Sequence, residues 1–349
     1  MSTGSAPDTG ELTAHRISVI VPVYQGEHTL GPLVDELEAL TRPYLTPGRR
    51  LAVVEEVLLV FDHGPDGSAT AIRDLAARFP FVRGIWLSRN FGQHPATLAG
   101  MASSGGEWIV TMDEDGQHDP SDIAGLLDTA LDEQATVVYA RGVNPAPHGL
   151  WRNVTSKGSK WLIAKALSGE NTVQYNSFRM VVGEVGRSVA AYAGSEAYLD
   201  VALGWIAGNV TTSPVELREE QGRRSGYNLR TLLSHFWRMV LSSGTKGLRL
   251  VSVLGVFFGV LGIVLVAYLL VVYTFFDPDT EVRGWASTMV VLLFGFGATL
   301  FSLGVVAEYV GVNVKTAMGK PPYLIVGDPA AGPLGRAQRL PPGAENDRP

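Results

Sequence analysis

Two aspartates, Asp113 and Asp115, stand one residue apart just after the short apolar run 108–110. A strand that ends in this way presents two carboxylates at the carboxyl edge of a sheet, where open α/β sheets bind ligands. Carboxylate oxygens suit Mg²⁺ or Mn²⁺, and such an ion usually also binds phosphate oxygens of its substrate. The segment therefore predicts a metal–diphosphate site. Taken alone, the motif favours a plainer alternative, an acidic turn in which Asp119 caps a helix that begins at Pro120.

The elements around this motif predict an α/β fold. The apolar run 17–21, ended by Pro22, is typical of a strand that is buried on both faces. Further strands are predicted at 57–61, 84–87, 108–112 and 137–140. Predicted helices lie between them, at 30–40, 70–78, 96–102 and 123–131. This alternation indicates βαβ units and a mostly parallel sheet.

Composition restricts the function classes. The chain has 349 residues, which leaves room for one large domain and additional segments. Its net charge of −6 argues against a nucleic-acid partner. The absence of cysteine excludes disulfides, thiolate metal sites and a catalytic thiol. The mean hydropathy of +0.14 is high for a soluble protein, and two local segments cause it.

These two segments predict a multi-pass protein of the inner or plasma membrane. Residues 250–276 and 285–307 carry no charge, and a membrane helix needs about 20 apolar residues. We therefore expect transmembrane helices at 250–276 and 285–312. Basic residues flank them on the outer sides, whereas the connecting loop 277–284 holds three acids and one arginine. By the positive-inside rule, the loop faces outward, and the N-terminal domain and both termini are cytoplasmic.

The remaining segments are assigned by pattern. Residues 1–15 are polar and small, which predicts a disordered tail without a signal peptide, ahead of a domain at 16–228. Segment 229–249 predicts an interfacial amphipathic helix, or a helix packed on the domain, and 160–167 is a weaker candidate of this kind. The apolar stripe of segment 229–249 consists of Leu229, Leu232, Leu233, Phe236, Trp237, Val240 and Leu241. We expect 313–349 to be cytoplasmic, with a flexible tail from Gly327.

Several motifs follow one another in a characteristic order. They read S-V-I-V-P-V-Y at 18–24, V-F-D-H-G-P-D-G-S at 60–68, L-S-R-N-F-G-Q-H at 87–94 and M-D-E-D-G-Q-H at 112–118. Together they resemble the inverting family-2 glycosyltransferases, and more narrowly the polyprenyl-phosphate glycosyltransferases related to dolichol-phosphate mannose synthase. The basic segment 223–229, E-Y-V-G at 308–311 and G-K-P-P-Y at 319–323 extend the similarity. The resemblance implies a GT-A-like, Rossmann-type sheet, a nucleotide sugar donor and an undecaprenyl- or decaprenyl-type phosphate acceptor.

The resemblance also implies a donor site. It assigns Pro22, Tyr24 and Asp62 to the base and ribose of the nucleotide. This chain departs from the family's D-D-G-S, because Phe61 replaces the first acid and His63 replaces the glycine. The identity of the nucleotide therefore stays open. We interpret Asp66 and Ser68, which follow, as turn and cap residues.

A metal set follows from the same resemblance. Asp113, Asp115 and Gln117 match the family's D-x-D-x-Q, with Asp115 and Gln117 as the more direct ligands of Mg²⁺ or Mn²⁺. Asp113 would contact the ribose or Arg89 instead. Arg89, in the R-N-F-G motif, would meet a phosphate or brace the carboxylates, and a structural ion pair is an equal alternative.

The acceptor phosphate requires cations. The resemblance assigns Arg218, Arg223 and Arg224 to a basic loop over the active site, although arginines near a membrane also contact lipid headgroups. Arg179 would face the acceptor phosphate or pair with an acid in the core. A phosphate monoester is already anionic at neutral pH, since its second pKa is about 6. The attack therefore needs no strong base, and Asp200 and Glu196 are only fallback candidates.

Two other functions remain open at this point. A processive polysaccharide synthase would share the sheet, but its Q-x-x-R-W motif lacks the tryptophan here, because Ser225 follows Arg224. A non-catalytic membrane scaffold would retain the fold, and the altered residues at 61 and 63 leave room for it. The sequence predicts a lipid bilayer as a partner and leaves a homo-oligomer open.

Overall fold

The computed structural model describes residues 13–143, 176–194, 198–218, 255–264, 267–268, 271, 275 and 284–336. These residues belong to two compact units. The first unit consists of described residues up to 218 together with 321–336, and the second consists of described residues between 255 and 320. Arg223, Arg224, Glu196, most of the predicted tail 1–15, the loop 277–283 and the amphipathic segments 160–167 and 229–249 lie outside the described residues.

The first unit is built on one mixed sheet. Its strands are β1 His15–Val23, β2 Tyr44–Leu45, β3 Leu51–Phe61, β4 Val82–Leu87, β5 Trp108–Thr111, β6 Val137–Gly142, β7 Arg179–Val182, β8 Val210–Val215 and β9 Ile325–Val326. The order is β8-β6-β7-β5-β1-β3-β4-β9, with β2 beside β3. Strands β5, β1, β3 and β4 are parallel neighbours, and β8 is parallel to β6. The predicted mostly parallel α/β sheet is confirmed, with antiparallel additions at β2, β7 and β9.

Helices cover both faces of this sheet. They are α1 Leu30–Glu38, α2 Ser68–Arg78, α3 Gln93–Ser103, α4 Ile123–Asp132, α5 Gly183–Tyr192 and α6 Leu199–Ile206. Apolar residues of α1, α2 and α4 pack on one face, and those of α3, α5 and α6 pack on the other. Helix α3 approaches β1 so closely that a Cβ at Gly100 would lie 2.3 Å from Ile20. Because fully burying a leucine or isoleucine contributes about 1.5–3 kcal/mol, these layers hold the strand ends in place.

The chain returns to this unit after residue 320. Strand β9 pairs antiparallel with β4, and a short helix, Pro333–Arg336, follows it. The carboxylate of Asp328 accepts two hydrogen bonds from the Arg73 guanidinium, both of 2.8 Å. The structure thus differs from the flexible tail predicted from Gly327, because this bidentate ion pair and the β9 ladder attach residues 325–328 to the sheet.

The second unit contains the apolar helices α7 Gly255–Val264 and α8 Trp285–Ala317. The helix Pro333–Arg336, which belongs to the first unit, is α9. In the described part of the chain, one helical segment, Phe294–Ala317, is long and apolar enough to cross a membrane. Only 6% of its most apolar 18-residue stretch is buried, whereas the core helix of a soluble protein would be mostly buried. The predicted span 285–312 overlaps this helix. The other span, 250–276, is described only in part, so the number of spans and the topology stay predictions.

Candidate active site

The candidate site lies at a switch in the order of the strands. From β1 the chain builds β3 and β4 on one side, and it then returns to place β5 on the other side. Crevices at such switch points, beyond the carboxyl ends of the strands, are the usual ligand sites of open α/β sheets. The loops that follow β1, β3, β4 and β5 meet there, and they carry most of the residues that the sequence predicts.

The loop after β5 holds the predicted metal residues. Oδ1 of Asp113 accepts a hydrogen bond of 2.6 Å from Nε2 of Gln93, and Oδ2 accepts one of 2.5 Å from Oγ of Ser177. Oδ1 of Asp115 accepts a hydrogen bond of 3.0 Å from the backbone N–H of Gln117. Gly116 between them has a φ of +74°, which allows the loop to turn back. Burial raises the pKa of Asp113.

This donor set fits a divalent ion that is shared with a substrate. Among the described residues, no three His, Cys, Asp or Glu side chains form a closed metal cage. Mg²⁺ and similar hard cations are usually held by one or two carboxylates, with waters and substrate phosphates completing the shell. Both oxygens of Asp113 accept hydrogen bonds from side chains, whereas Oδ1 of Asp115 accepts one from a backbone N–H, and a ligand role for either carboxylate stays a prediction. The side chain of Gln117 lies on the same loop, and its role as a ligand stays a prediction.

Asp62 has different partners from those predicted. The residue is only 3% exposed, and its carboxylate accepts two hydrogen bonds of 2.7 Å from the backbone N–H groups of Phe91 and Gly92. Burial raises its pKa, although these amides favour the charged form. Both oxygens therefore hold the loop after β4, where Gly92 has a φ of +95°. Asp62 therefore fixes the R-N-F-G loop, and its contact with base or ribose stays a prediction.

Arg89 lies on that loop and remains exposed. Its guanidinium lies over the ring of Phe91, 4.2 Å from the ring centre, and donates to the carbonyl of Asn90. It forms no ion pair with any residue that the structure describes. The structural ion pair that we gave as the alternative is therefore not observed in this part of the chain, and a phosphate contact stays a prediction.

Two of the predicted phosphate-binding arginines are engaged with acids. Arg179 is buried and forms an ion pair with Asp200, which also accepts a 2.9 Å hydrogen bond from the Tyr139 hydroxyl. This is the core ion pair that we gave as the alternative. Arg218 follows β8, and its guanidinium contacts Asp119 at 2.6 Å and Glu36 at 2.8 Å. Both cations thus have carboxylate partners in the described part of the chain, and their contacts with the acceptor phosphate stay predictions.

The donor loop follows β1. Tyr24 is 42% exposed at the crevice, whereas Pro22 lies within β1. A Cβ at Gly64 would lie 1.5 Å from the carbonyl oxygen of Tyr24, so only glycine allows this close approach. His63 takes a left-handed backbone with a φ of 52° and packs on Phe61. The two residues that depart from the family motif therefore shape the loop next to Tyr24.

The turn residues were also predicted. Asp66 accepts hydrogen bonds from the N–H and Oγ of Ser68, which confirms the turn, although the N-cap position of α2 is Gly67. Asp119 accepts a hydrogen bond from the N–H of Ser121 in the short 3₁₀ helix Pro120–Asp122, which directly precedes α4, and this confirms the predicted cap. The acidic turn and the carboxylate pair that precedes it are therefore parts of one loop.

Four polar residues at the site were missed as contributors. Gln93 and Ser177 bind Asp113, Glu114 binds the donor loop, and the ring of His118 accepts from the N–H of Asp113 at 3.3 Å. His118 also stacks on Phe178, and burial lowers its pKa. Position in the R-N-F-G-Q and D-E-D motifs was the only available signal for Gln93 and Glu114. Ser177 reaches the site through β7, which no local pattern predicted.

Comparisons with known proteins identify the domain. Residues 18–185 match the model of glycosyl transferase family 2. The chain is 26% identical over 317 residues to the undecaprenyl-phosphate 4-deoxy-4-formamido-L-arabinose transferase of Yersinia enterocolitica serotype O:8, with 89% of this chain and 92% of that protein covered. The protein of the same name from Enterobacter sp. (strain 638) is 28% identical over 324 residues, with 89% of this chain and 93% of that protein covered.

Among solved structures, glucosyl-3-phosphoglycerate synthase from Mycobacterium tuberculosis, in complex with Mn²⁺, UDP-glucose and phosphoglyceric acid, is similar with a TM-score of 0.47. The identity is 16%, and the match covers 66% of this chain and 79% of that chain. The family match spans the strands and loops that build the crevice, from β1 to α5. The family expected from the motifs is confirmed, and residues 18–185 of this chain form a glycosyl transferase family 2 domain.

Proposed function

We propose that this protein transfers one sugar from a nucleotide diphosphate sugar to a polyprenyl phosphate, with inversion at the anomeric carbon. The observation that carries the proposal is the open two-carboxylate site of Asp113 and Asp115 at the switch point of a family 2 domain. Its relatives are named for transfer to undecaprenyl phosphate, and they match over nearly their whole length. A lipid acceptor also agrees with the apolar helix Phe294–Ala317.

The metal would be Mg²⁺ or Mn²⁺. Asp115 would hold the ion, with Gln117 and Asp113 beside it, and the bound ion would stabilise negative charge on the leaving diphosphate. The neighbouring contacts have a separate role. Gln93 and Ser177 fix the orientation of the Asp113 carboxylate, and Asp62 fixes the loop that presents Arg89. These residues hold the donor site in shape before the substrate arrives, which reduces the entropy cost of reaching the reactive geometry.

The acceptor side favours a phosphate nucleophile. A hydroxyl acceptor requires a general base near the reacting atoms. Asp200, the fallback base that the structure describes, is buried and bound to Arg179 and Tyr139. The residue next to the carboxylate pair is Ser177, whose hydroxyl donates to Asp113. An acceptor that is already anionic needs no general base, and Arg223 and Arg224 would position its phosphate.

The proposal includes the cellular location. Two membrane spans would anchor the chain in the inner or plasma membrane, with the catalytic domain and both termini in the cytoplasm and residues 277–284 outside. The amphipathic segment 229–249 would lie in the interface and set the height of the site above the bilayer. The sugar and the nucleotide stay open, because Phe61 and His63 depart from the family motif beside the donor loop.

A donor screen tests the proposed reaction. The full-length protein in detergent is incubated with undecaprenyl phosphate and a panel of nucleotide sugars, and release of the nucleoside diphosphate is measured. We expect one donor to give release that requires both the lipid phosphate and Mn²⁺ or Mg²⁺. Asp115→Asn should lower the rate about a hundredfold or more, because the ion contributes several kcal/mol to stabilising the transition state.

The matched control is Asp74→Asn, the same change at an exposed position of α2. It should retain the wild-type rate. Full activity in EDTA would contradict the metal assignment. Release that does not depend on the lipid phosphate would indicate hydrolysis of the donor rather than transfer.

A further inference from the structure

Glu114, between the two aspartates, uses both carboxylate oxygens on another loop. Oε2 accepts a hydrogen bond of 2.8 Å from the backbone N–H of Tyr24, and Oε1 accepts one of 2.8 Å from the N–H of Gln25. The side chain is buried beneath the crevice. One residue of the predicted metal loop therefore holds the first two residues of the loop after β1.

The loop after β1 is held from its other side as well. The N–H of Gly26 donates to Oγ of Ser68 at 2.8 Å, and the N–H of Glu27 donates to Oδ2 of Asp66 at 3.2 Å. Four consecutive amides, 24 to 27, are thus bound by side chains from two neighbouring loops. Gly26 has no space for a side chain, because its Cβ would lie 2.8 Å from Leu30 and 3.0 Å from Oε2 of Glu114.

We infer that Glu114 is a positioning residue for the donor nucleotide, acting through the backbone of Tyr24 and Gln25. This inference rests on the proposed function, which places the nucleotide at this loop. Hydrogen bonds from N–H groups to a charged carboxylate are stronger than neutral ones. Loss of one such bond at a buried site allows the loop to leave its binding shape. The apparent affinity then falls in proportion to the fraction of molecules that keep that shape.

Glu114→Gln tests this role. The amide side chain has the same size but keeps only one acceptor oxygen, so one of the two backbone N–H groups loses its partner. We expect the Kd for a nucleoside diphosphate, measured by calorimetry on the full-length protein, to rise about ten- to a hundredfold. The same factor should appear in EDTA and in Mn²⁺. The KM for the donor should rise more than kcat falls.

The matched control is Glu107→Gln at the opposite end of β5. Glu107 also accepts a backbone N–H, that of Arg16 at 3.2 Å, but it is exposed and lies at the amino edge of the strand. We expect this variant to bind nucleotide as the wild type does. Hydrogen exchange should accelerate in peptides that cover residues 24–28 only in Glu114→Gln. If that variant does not fold, Glu114→Asp keeps the charge but shortens the reach, and it should give the same result.

The outcomes separate the inference from the proposed function. Unchanged nucleotide affinity in Glu114→Gln, with a lowered unfolding midpoint, would overturn the inference and leave a purely structural residue. A loss of affinity that is equal in Glu107→Gln would overturn it as well, because the effect would then be general. If the wild-type protein binds none of the nucleoside diphosphates tested, the proposed function fails first, and the inference fails with it.

Discussion

The substitution Asp62→Asn separates a loop-fixing carboxylate from a nucleotide ligand. In the structure, both oxygens of Asp62 accept backbone N–H groups at 2.7 Å, from Phe91 and Gly92. Asparagine has almost the same shape but only one acceptor oxygen, so one buried N–H would face the side-chain NH₂ group. The change therefore removes one hydrogen bond to a charged group and leaves one buried donor without a partner.

The expected loss of stability follows from these contacts. A hydrogen bond to a charged group contributes about 1.5–3 kcal/mol, and removing the buried charge offsets part of this loss. We expect the free energy of unfolding to fall by about 1–3 kcal/mol. For a domain of about 200 residues, this corresponds to a decrease in Tm of roughly 2–12 °C. The exposed change Asp74→Asn should shift Tm by at most about 2 °C.

Thermal unfolding in detergent, followed by tryptophan fluorescence, measures this difference. The KM for the donor is then determined below the lower Tm. A Tm decrease in Asp62→Asn would support the loop-fixing role. An unchanged Tm together with a raised KM would refute it, and it would restore the nucleotide contact that the family resemblance implies.

Three further predictions concern other parts of the chain. Burial lowers the pKa of His118 below its usual 6.5, so the unfolded chain binds a proton before the folded protein does, and stability falls as the pH drops below about 6.5. His118→Gln has no group that titrates at this position, so its stability lacks this pH dependence. The difference between its unfolding free energy and that of the wild type should therefore narrow on going from pH 7 to pH 5. Asp328→Asn removes the bidentate partner of Arg73 and should cost about 0.5–1 kcal/mol while accelerating hydrogen exchange at 325–328; unchanged exchange there would contradict the attachment of this segment. Because the chain has no cysteine, Ser5→Cys should be protected from an impermeant reagent in intact cells and Thr280→Cys labelled; the opposite pattern would reverse the topology.

Most regular elements within residues 15–142 could be predicted from the sequence, because each has a strong local pattern, whereas α5, α6 and β8 were not predicted. The apolar run 17–21 lies within β1, and the predicted helix 123–131 matches α4 to within one residue. Strands β7 and β9 could not be predicted, because they have four and two residues and are defined by pairing with distant strands. Their positions depend on tertiary contacts that leave no periodic signal.

The candidate site likewise contains residues that could be found from the sequence and contacts that could not. Asp113 and Asp115 were found because a strand followed by two carboxylates has a recognisable pattern. The contacts of Asp62 and Arg218 were not predicted, and the core ion pair of Arg179 was only one of two alternatives, because the choice between a ligand and a protein partner depends on which distant group lies within about 3 Å. The motif gives the residue type at each position, and packing decides the partner.

The mass of the lipid product shows whether the protein transfers one sugar to a polyprenyl phosphate. The full-length protein is incubated with undecaprenyl phosphate, Mn²⁺ and the active donor, and the lipid extract is analysed by mass spectrometry. We predict a single new lipid, heavier than undecaprenyl phosphate by one sugar residue, which is absent with Asp115→Asn and in EDTA. A ladder of lipids that carry several sugars would indicate a processive synthase. No sugar-bearing lipid with any nucleotide sugar would contradict the proposed transfer.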